Sequence, residues 1–382
     1  MNDRLLFERR LIPSEGKLGY QQFRRNKLAA LCNGEEAYPP MLEAIGSAER
    51  TIALSTYMFG DDPTGSLFIE ALATAVERKI RVKVLVDAFG SLLSWPPVQR
   101  RLRRENIEFV SFNPLWRPHQ LSSRYHRKML VVDGRVGFTG GMNIRQNHVI
   151  TKPSYYPVAD MHFMVEGPLV AEMFRVFAND WLSATGQLLD FNDWPSSSSA
   201  EETMLARQIL SGPDSGQEAR AIITRALTRA RKEAVVLTPY FFPDLAVMNM
   251  LKKACSRGAR IKIVVPQDTW FLFKWAFTPA LRDLLECGCR ILLSGPVFDH
   301  SKAFIVDGTW SMVGSTNWDS RSLNWNYEFD MEVYDSTFAS SLLSLVHAKE
   351  RSAEELSIQM IDRRRSYEKL RDKVAHLLFP LL

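Results

Sequence analysis

Features that would mark several other classes of protein are missing from this sequence. The 382 residues include only four cysteines, and none of these forms a Cys-x-x-Cys pair, which argues against a disulfide scaffold or a zinc ribbon. No apolar run approaches the ~20 residues that a membrane-spanning helix needs, and the first residues lack the apolar core of a signal peptide. These absences predict a globular protein of a reducing compartment. If the substrate of such a protein is a lipid, the protein must work from the membrane surface.

Composition and charge set wider bounds. Hydrophobic residues make up 46% of the chain and charged residues 24%, as in ordinary globular proteins. The length is enough for two domains with substantial cores. The net charge of +5 suits an anionic partner such as membrane lipid or nucleic acid, but it does not choose between them.

The chain contains one motif twice. Both copies read His-x-Lys, four residues, Asp, six residues, and then Gly-[Gly/Ser]-x-Asn. The first copy supplies His126, Lys128, Asp133, Gly140, Gly141 and Asn143, and the second supplies His300, Lys302, Asp307, Gly314, Ser315 and Asn317. A single copy would mean little, but two copies with matched ends argue strongly against chance.

Each copy predicts a β-hairpin that carries groups for phosphoryl chemistry. The apolar runs MLVV (129–132) and AFIV (303–306) indicate buried strands that end in Asp-Gly turns. Because side chains alternate along a strand, the His and Lys of His-x-Lys point to one face, where a nucleophile or general acid stands beside a fixed cation. The Gly-[Gly/Ser]-x-Asn segment adds N–H donors. A phosphodiester under attack needs both kinds of group to hold its oxygens.

The segments around the motif are also repeated. TIALSTYMF (51–59) corresponds to EAVVLTPYFF (233–242), and the alternation of strands and helices predicts an α/β fold. We expect a loosely docked lead-in over residues 1–30, a first domain over 31–197, and a second over 198–382 that ends in an amphipathic helical tail from Ser336 onwards. The boundary between the domains falls in a Ser-rich stretch without a hydrophobic pattern.

The doubled motif resembles the signature of the phospholipase D superfamily. That resemblance implies two phospholipase D-like domains related by a pseudo-two-fold axis, each a mixed β-sheet flanked by helices. One active site is shared between them, so a monomer can form the full site. Residues 126–144 and 300–328 are similar to bacterial cardiolipin synthases, and the start of the chain resembles the short form without N-terminal membrane spans. Lys79 stands where the family usually has Gly, and there we expect a different turn.

The resemblance also implies roles for individual residues. By family analogy, His126 attacks the phosphorus atom and protonated His300 assists the leaving alcohol. The catalytic set would consist of the two motif triads, His126, Lys128, Asp133, His300, Lys302 and Asp307. The phosphate-binding residues would be Asn143, Asn317 and Ser315, and the acids that orient the histidines would be Asp160 and Glu328. The Asp-Gly turns favour a loop-shaping role for the two aspartates over proton transfer.

No cofactor is implied, and the sequence has no metal-ligand spacing such as His-Glu-x-x-His. The function expected from the resemblance is transfer of a phosphatidyl group from phosphatidylglycerol to a second phospholipid, through a phosphohistidine intermediate. The acceptor, phosphatidylglycerol or phosphatidylethanolamine, stays open, and so does the oligomeric state. We expect a peripheral protein on the cytoplasmic side of a bacterial membrane, bound to its anionic surface.

Three alternatives remain at this point. A phospholipase D hydrolase would pass the same intermediate to water. A nuclease would need an open basic groove and strongly salt-dependent DNA binding, and we regard nucleic acid as the less favoured partner. A non-catalytic membrane protein is disfavoured, because His, Lys and Asn are intact in both copies of the motif. The aromatic stretch WFLFKWAF (270–277) favours lipid, as an acyl-chain groove or a lip that contacts the membrane.

Overall fold

The computed structural model describes residues 23–92, 97–113, 123–189, 203–213, 215–267 and 271–378. The strands are β1 (Arg24–Cys32), β2 (Thr51–Thr56), β3 (Arg81–Asp87), β4 (Glu108–Phe112), β5 (Met129–Val132), β6 (Val136–Gly140), β7 (Val158–Ala159), β8 (Met161–Glu166), β9 (Met204–Gly212), β10 (Gly216–Gln217), β11 (Glu233–Leu237), β12 (Phe241–Phe242), β13 (Arg260–Pro266), β14 (Arg290–Ser294), β15 (Phe298–Asp299), β16 (Ala303–Val306), β17 (Trp310–Gly314), β18 (Trp318–Asp319), β19 (Glu328–Tyr334) and β20 (Glu354–Glu355). The helices are Asn33–Gly46, Pro63–Glu77, Ala88–Leu92, Gln99–Arg104, Pro168–Thr185, Glu218–Arg229, Leu245–Ser256, Phe271–Glu286, Ser320–Asn324, Ser336–Glu350, Ile358–Asp362 and Ser366–Leu378, with a 3-10 turn at Gln146–His148.

The order of strands in the main sheet reveals the duplication. One half runs β1-β8-β6-β5-β2-β3-β4 and the other runs β9-β19-β17-β16-β11-β13-β14. In each half, the first strand of the repeated segments, β2 or β11, pairs in parallel with β3 or β13 and antiparallel with the first strand of the motif hairpin, β5 or β16. The halves join where β1 pairs antiparallel with β9. The predicted α/β fold of two repeated units, each a mixed sheet flanked by helices, is confirmed.

The predicted lead-in is wrong for residues 24–30. These residues belong to β1, which pairs with β8 along one edge and with β9 along the other, and so lies at the centre of the joined sheet. Residues 1–22 lie outside the described residues. So does the predicted boundary between 197 and 198, because residues 190–202 are not described.

The outer faces of the two halves have separate hydrophobic cores. In the first half, Ile52 and Leu54 of β2 pack with helices Asn33–Gly46 and Pro63–Glu77. The second half has a corresponding core beneath helices Glu218–Arg229 and Leu245–Ser256. These positions are buried because alternate side chains of a strand point to the same face of the sheet.

The opposite face of the sheet carries one core that both halves share. Val165 of β8 and Val333 of β19 belong to it, as do apolar residues of helices Pro168–Thr185 and Ser336–Glu350. Burying each such side chain contributes about 1.5–3 kcal/mol. This shared core holds the halves in a fixed relation, and a site between them can therefore be built precisely enough for chemistry.

The helical tail is shorter than predicted. Helix Ser336–Glu350 follows β19 as helix Pro168–Thr185 follows β8, and both pack into the shared core. Helix Ser336–Glu350 is therefore part of the second repeat. The prediction that the tail starts at Ser336 is wrong, because this helix does not belong to the tail. Helices Ile358–Asp362 and Ser366–Leu378 come after it and contact helix Phe271–Glu286.

The turn at Lys79 follows the ordinary geometry of the repeat. Lys79 adopts a φ of 68°, in the left-handed region, and Gly258 has a φ of 91° at the corresponding place after helix Leu245–Ser256. The N–H of Lys79 donates to the carbonyl of Val76 at 2.9 Å, as that of Gly258 donates to Cys255 at 2.8 Å. The prediction that this turn differs from the glycine turn of the family is therefore wrong. The lysine adopts the glycine conformation at a cost of about 1–2 kcal/mol.

The aromatic stretch predicted to contact lipid is only partly described. Residues 268–270 lie outside the described residues, and from Phe271 the stretch forms the beginning of helix Phe271–Glu286. The predicted acyl groove or membrane lip therefore stays a prediction. None of the helices in the described part of the chain is long and apolar enough to span a bilayer.

The two motif aspartates hold the turns of the hairpins. Asp133 accepts the backbone N–H groups of residues 49–51, each at 2.8 Å. Asp307 accepts those of residues 231–233 at 3.0, 2.7 and 3.0 Å. Both lie at the end of the hairpin away from the histidines, so their place in the catalytic set is wrong. The loop-shaping role that the Asp-Gly turns favoured agrees with this geometry.

We predict that Asp133→Ala lowers the stability of the folded protein but leaves its reaction rate unchanged. Three backbone N–H groups would lose a charged acceptor, and the free energy of unfolding should fall by about 3 kcal/mol. Urea unfolding measures the loss. The remaining folded protein should cleave an activated phosphodiester at an unchanged rate.

Asp133→Asn is the matched control for this change. It keeps one acceptor oxygen and should lose less stability than the alanine variant. Unaltered stability together with loss of turnover in Asp133→Ala would show that the aspartate takes part in the reaction.

Candidate active site

The candidate site lies where the two halves meet, beyond the carboxyl ends of β2 and β11. β7 pairs in parallel with β15 there, and Tyr125 and Tyr327 form an isolated bridge. The N–H of His126 donates to the carbonyl of Tyr327 at 3.0 Å, and the N–H of His300 donates to that of Ala159 at 2.7 Å. The backbone of the opposite half therefore fixes each motif histidine.

Each histidine also pairs with an acid from the opposite half. Nδ1 of His126 lies 2.9 Å from Oε2 of Glu328, and Nδ1 of His300 lies 2.7 Å from Oδ2 of Asp160. The carboxylates are fully buried, whereas the histidine side chains are 11% and 12% exposed. The structure thus brings together the two predicted histidines and the two predicted acids, and it pairs them crosswise.

This pairing determines which ring nitrogen is available for reaction. An ionised carboxylate can only accept a hydrogen bond, so Nδ1 of each histidine carries the proton and donates it to the acid. Nε2 then holds the free lone pair. A histidine fixed in this tautomer can attack an electrophile or take up a proton through Nε2, while the acid stabilises the positive charge that develops.

The motif lysines are buried beside the histidines. Nζ of Lys128 donates to the backbone carbonyl of His126 at 2.6 Å. Nζ of Lys302 donates to the carbonyl of His300 and lies 2.8 Å from Nδ1 of that residue. Burial lowers the pKa of Lys128 to about 7 and that of Lys302 to about 8. Two cations held in a buried site attract an anionic ligand, whose charge would restore their pKa values towards normal.

Burial and these cations also shift the other titratable groups. The pKa of His126 is well below its usual value, first because of burial and then because of the charges of Lys128 and Lys302. His300 is affected by the same causes. Burial raises the pKa of Glu328 to about 7. Unprotonated histidines are suited to nucleophilic attack, and an acid role requires that a bound phosphate first offset the lysine charges.

The motif asparagines are buried, and their side chains are partly engaged. Oδ1 of Asn143 accepts the N–H of Met58 at 3.0 Å, which leaves its amide N–H₂ group as a donor. Nδ2 of Asn317 lies 3.4 Å from Oγ of Ser322, a long contact. The side chains are 7% and 5% exposed. Their binding of phosphate remains a prediction.

Ser315 does not act as predicted. Its hydroxyl donates to Oε2 of Glu328 at 2.5 Å and accepts the N–H of Phe329 at 3.0 Å. It therefore supports the acid behind His126, and its assignment to phosphate binding is wrong. The corresponding Gly141 has no room for a hydroxyl, because a Cβ atom there would lie 2.2 Å from Oδ1 of Asp160.

Two aromatic residues near the histidines were not identified from the sequence. The ring of Tyr57 lies 5.4 Å from that of His126, and the ring of Tyr240 lies 6.2 Å from that of His300. Burial raises the pKa of Tyr57 to about 12. The sequence contains a feature that could have identified these two residues. In each of the two repeated segments, an aromatic residue follows shortly after the Thr at the strand end.

Arg127, between the motif His and Lys, was also missed. Its guanidinium pairs with Asp180 of helix Pro168–Thr185 at 2.5 Å, and its Nε donates to the backbone carbonyl of Glu328 at 3.2 Å. It thereby ties the shared core to the strand that carries the acid. The second motif has Ser301 at this place, so the repeat offered no signal.

Within the described ranges, no group of three or more His, Cys, Asp or Glu side chains is arranged to hold a metal ion.

Comparison with known proteins gives matches over most of the chain. The family described as "Cardiolipin synthase, PLD-like domain" matches residues 41–181 and 223–348. Cardiolipin synthase A of Pseudomonas syringae is 31% identical over 366 residues, which are 94% of this chain and 75% of the relative. Cardiolipin synthase of Alkalihalophilus pseudofirmus is 31% identical over 362 residues, 92% of this chain and 71% of the relative.

A solved structure shares the fold. The crystal structure of phosphatidylserine synthase from Haemophilus influenzae superposes with a TM-score of 0.71 at 17% identity, covering 100% of this chain and 98% of that one. At this identity the likeness concerns the fold alone.

We predict that Ser315→Ala shifts the acid limb of the pH–rate profile to higher pH. The Ser315 hydroxyl lowers the pKa of Glu328 against the effect of burial, so its removal raises that pKa further. Glu328 must be ionised to accept the proton of His126. The value of kcat/KM for cleavage of an activated phosphodiester should therefore reach its plateau at a pH about 0.5–1 unit higher than in the parent protein.

Ser311→Ala is the matched control for this change. Ser311 is a fully buried serine on β17, the strand that ends just before Ser315, and its removal should leave the acid limb in place. Coinciding profiles of the Ser315→Ala and parent proteins would contradict the role given to the Ser315 hydroxyl.

Proposed function

Because the chain belongs to the phospholipase D superfamily, in its cardiolipin synthase-like family of phosphatidyltransferase enzymes, we propose that it is a cardiolipin synthase. In this proposal it transfers a phosphatidyl group from phosphatidylglycerol to the head-group hydroxyl of a second phospholipid. The observation that carries the proposal is the pair of crosswise histidine–carboxylate contacts. They supply two histidines with free Nε2 atoms beside two buried cations, which is what a two-step displacement at phosphorus requires.

The first step forms a phosphohistidine. Nε2 of His126 attacks the phosphorus atom of phosphatidylglycerol, and the bond from phosphorus to the glycerol oxygen breaks. His300, protonated at Nε2 when the bound phosphate offsets the lysine charges, gives that proton to the departing glycerol. Lys128 and Lys302 stabilise the charge on the phosphoryl oxygens, with the amides of Asn143 and Asn317 as further donors.

The second step releases the product. The hydroxyl of the accepting phospholipid gives its proton to Nε2 of His300 and bonds to phosphorus, while the bond from phosphorus to His126 breaks. His126 returns to its starting state and His300 is protonated again. Atoms and charges therefore balance over the cycle, and one glycerol is released for each cardiolipin formed.

The proposed function also requires that a lipid head group can reach the buried histidines. The histidine side chains are about one-tenth exposed, so a head group must enter a narrow opening while its acyl chains stay in the bilayer. We therefore place the protein peripherally at a membrane surface, on the cytoplasmic side, held in part by attraction of its net positive charge to anionic lipid. Exclusion of water from the opening favours transfer over hydrolysis.

We predict that purified protein converts phosphatidylglycerol vesicles to cardiolipin and glycerol, and that His126→Ala and His300→Ala each reduce turnover by at least about 10³-fold. Mass spectrometry of the lipids, with and without phosphatidylethanolamine in the vesicles, measures the products. With an activated donor, the His300→Ala protein should retain a phosphatidyl adduct that the His126→Ala protein lacks.

His347→Ala is the control variant, because His347 is exposed on helix Ser336–Glu350 and its loss should leave turnover unchanged. Phosphatidic acid as the sole product would identify a hydrolase. No lipid product, together with cleavage of DNA, would identify a nuclease. An adduct on the His126→Ala protein would exchange the roles of the histidines.

A further inference from the structure

The two motif histidines have different proposed roles, although the two halves repeat the same fold. One attacks phosphorus and the other gives a proton to the departing alcohol. A charge close to one histidine can decide between these roles, because a nearby anion holds a proton on an imidazole ring. Asp299 directly precedes His300 and is such a group, whereas Tyr125 stands at the same place before His126.

Asp299 is buried and is held from several directions. It belongs to β15, which pairs with β7 of the opposite half. Its Oδ1 accepts the N–H of Ser301 at 3.1 Å, and its Oδ2 lies 2.7 Å from Nζ of Lys349 on helix Ser336–Glu350. The side chain of Asp299 is 4% exposed and that of Lys349 is 23% exposed. Water therefore screens the lysine more than the aspartate, and the pair leaves net negative charge beside His300.

One peptide group connects Asp299 to the motif lysine. The N–H of Ser301, which donates to Asp299, belongs to the peptide whose carbonyl is that of His300. This carbonyl accepts a hydrogen bond from Nζ of Lys302. Hydrogen bonds at both ends of a peptide polarise it and strengthen each other. Burial lowers the pKa of Lys302 to about 8, against about 7 for Lys128, and Asp299 is among the acids that oppose the lowering at Lys302.

The first half has an ion pair of the opposite polarity. Arg127 of the motif lies 2.5 Å from Asp180 of the following helix, and both side chains are less than one-tenth exposed. The motif thus carries the cation here, whereas in the second half it carries the anion. Tyr125 donates its hydroxyl to Asp180 at 3.0 Å, and burial raises the pKa of this tyrosine well above its usual value, so it adds no charge beside His126.

Most other titratable groups near His300 have a counterpart near His126. The matching residues are Asp160 with Glu328, Tyr240 with Tyr57, and Lys302 with Lys128. The two lysines lower the pKa of both histidines. His148 has no such counterpart, but burial lowers its pKa to about 3, so it stays neutral.

Two further buried acids belong to the second half. Asp330 follows Glu328 by two residues on β19, so both side chains lie on one face of that strand. Asp319 caps the short helix Ser320–Asn324. Burial raises the pKa of Asp319 to about 6 and that of Asp330 to about 7, as it does for Glu328. These acids carry only part of their charge at neutral pH, whereas Asp299 is held as an ion pair.

We propose that Asp299 is a positioning residue that keeps the proton on His300, and so makes His300 the acid and His126 the nucleophile. This inference rests on the proposed function and gives its two histidine roles a structural cause. In the first step Nε2 of His126 bonds to phosphorus, the bond from phosphorus to the alcohol oxygen breaks, and the proton of His300 passes to that oxygen. Asp299 acts on this step through His300 and Lys302.

Leaving alcohols of different acidity separate this role from a merely structural one. Nitrophenol departs without a proton, whereas glycerol must be protonated as it leaves. Asp299→Asn keeps an acceptor oxygen for Ser301 and removes the charge. In this variant, release of nitrophenol from a phosphatidyl donor should stay within about twofold of the parent protein. Release of glycerol from phosphatidylglycerol should fall about tenfold at alkaline pH.

The pH dependence of kcat for glycerol release supplies the sign. Burial and then the lysine charges lower the pKa of His300, and Asp299 opposes them. Without the Asp299 charge this pKa falls further, so His300 loses its proton at a lower pH. The basic limb of the profile should therefore move to lower pH by about 0.5–1 unit in Asp299→Asn.

Glu350→Gln is the matched control. Glu350 follows Lys349 on the same helix, and its Oε1 lies 2.6 Å from Nζ of Lys262. This variant removes an ion pair of that helix but leaves the charge of Asp299 in place. Its rates with both donors and its basic limb should match those of the parent protein.

A measurement on the parent protein needs no variant. At saturating inorganic phosphate, the nitrogen-15 resonances of labelled histidines should show that His300 takes up its proton at a higher pH than His126. Titration of His126 at the same or a higher pH would overturn the inference, even if Asp299→Asn failed to fold.

Two results with the variant would also overturn it. An equal loss with the nitrophenol and glycerol donors would identify a structural role, and an unmoved basic limb would show that Asp299 does not act on His300. Phosphatidic acid in place of cardiolipin from the parent protein would contradict the proposed transfer, but glycerol release would still report on Asp299. A parent protein that released neither alcohol would contradict the proposed function and this inference together.

Discussion

The crosswise hydrogen bonds between each motif histidine and the acid of the opposite half are the contacts on which the site depends. Neither half alone contains a complete pair, because Glu328 orients His126 and Asp160 orients His300. The shared hydrophobic core and the pairing of β1 with β9 keep these groups in register. A small change in the relation of the halves would alter both pairs together, which explains why the duplicated units are built as one continuous sheet.

Burial gives the site its electrostatic character. Two lysines, two histidines and two carboxylates lie together with little access to water, and their pKa values shift towards the neutral forms. An entering phosphodiester adds negative charge between the lysines and favours the charged forms again. Substrate binding therefore prepares the acid and the cations for reaction, and the empty site keeps the histidines unprotonated.

The doubled motif predicted the hairpins and both histidines, and the family resemblance implied both orienting acids. It did not predict the crosswise pairing, because spacing along the chain does not say which half supplies a partner. β1 was missed because its sequence, RRNKLAALC, begins with charges and is only partly buried. Ser315 was misassigned because its role follows from the position of Glu328, which appears only once the strands are paired.

The most direct test of the crosswise site is nuclear magnetic resonance of the protein labelled with nitrogen-15 in histidine. Nδ1–H protons bonded to buried carboxylates should give two low-field resonances, assigned by His126→Ala and His300→Ala. The account predicts that Glu328→Ala removes the His126 resonance and that Asp160→Ala removes that of His300. Loss of the His300 resonance in Glu328→Ala, with that of His126 intact, would contradict it.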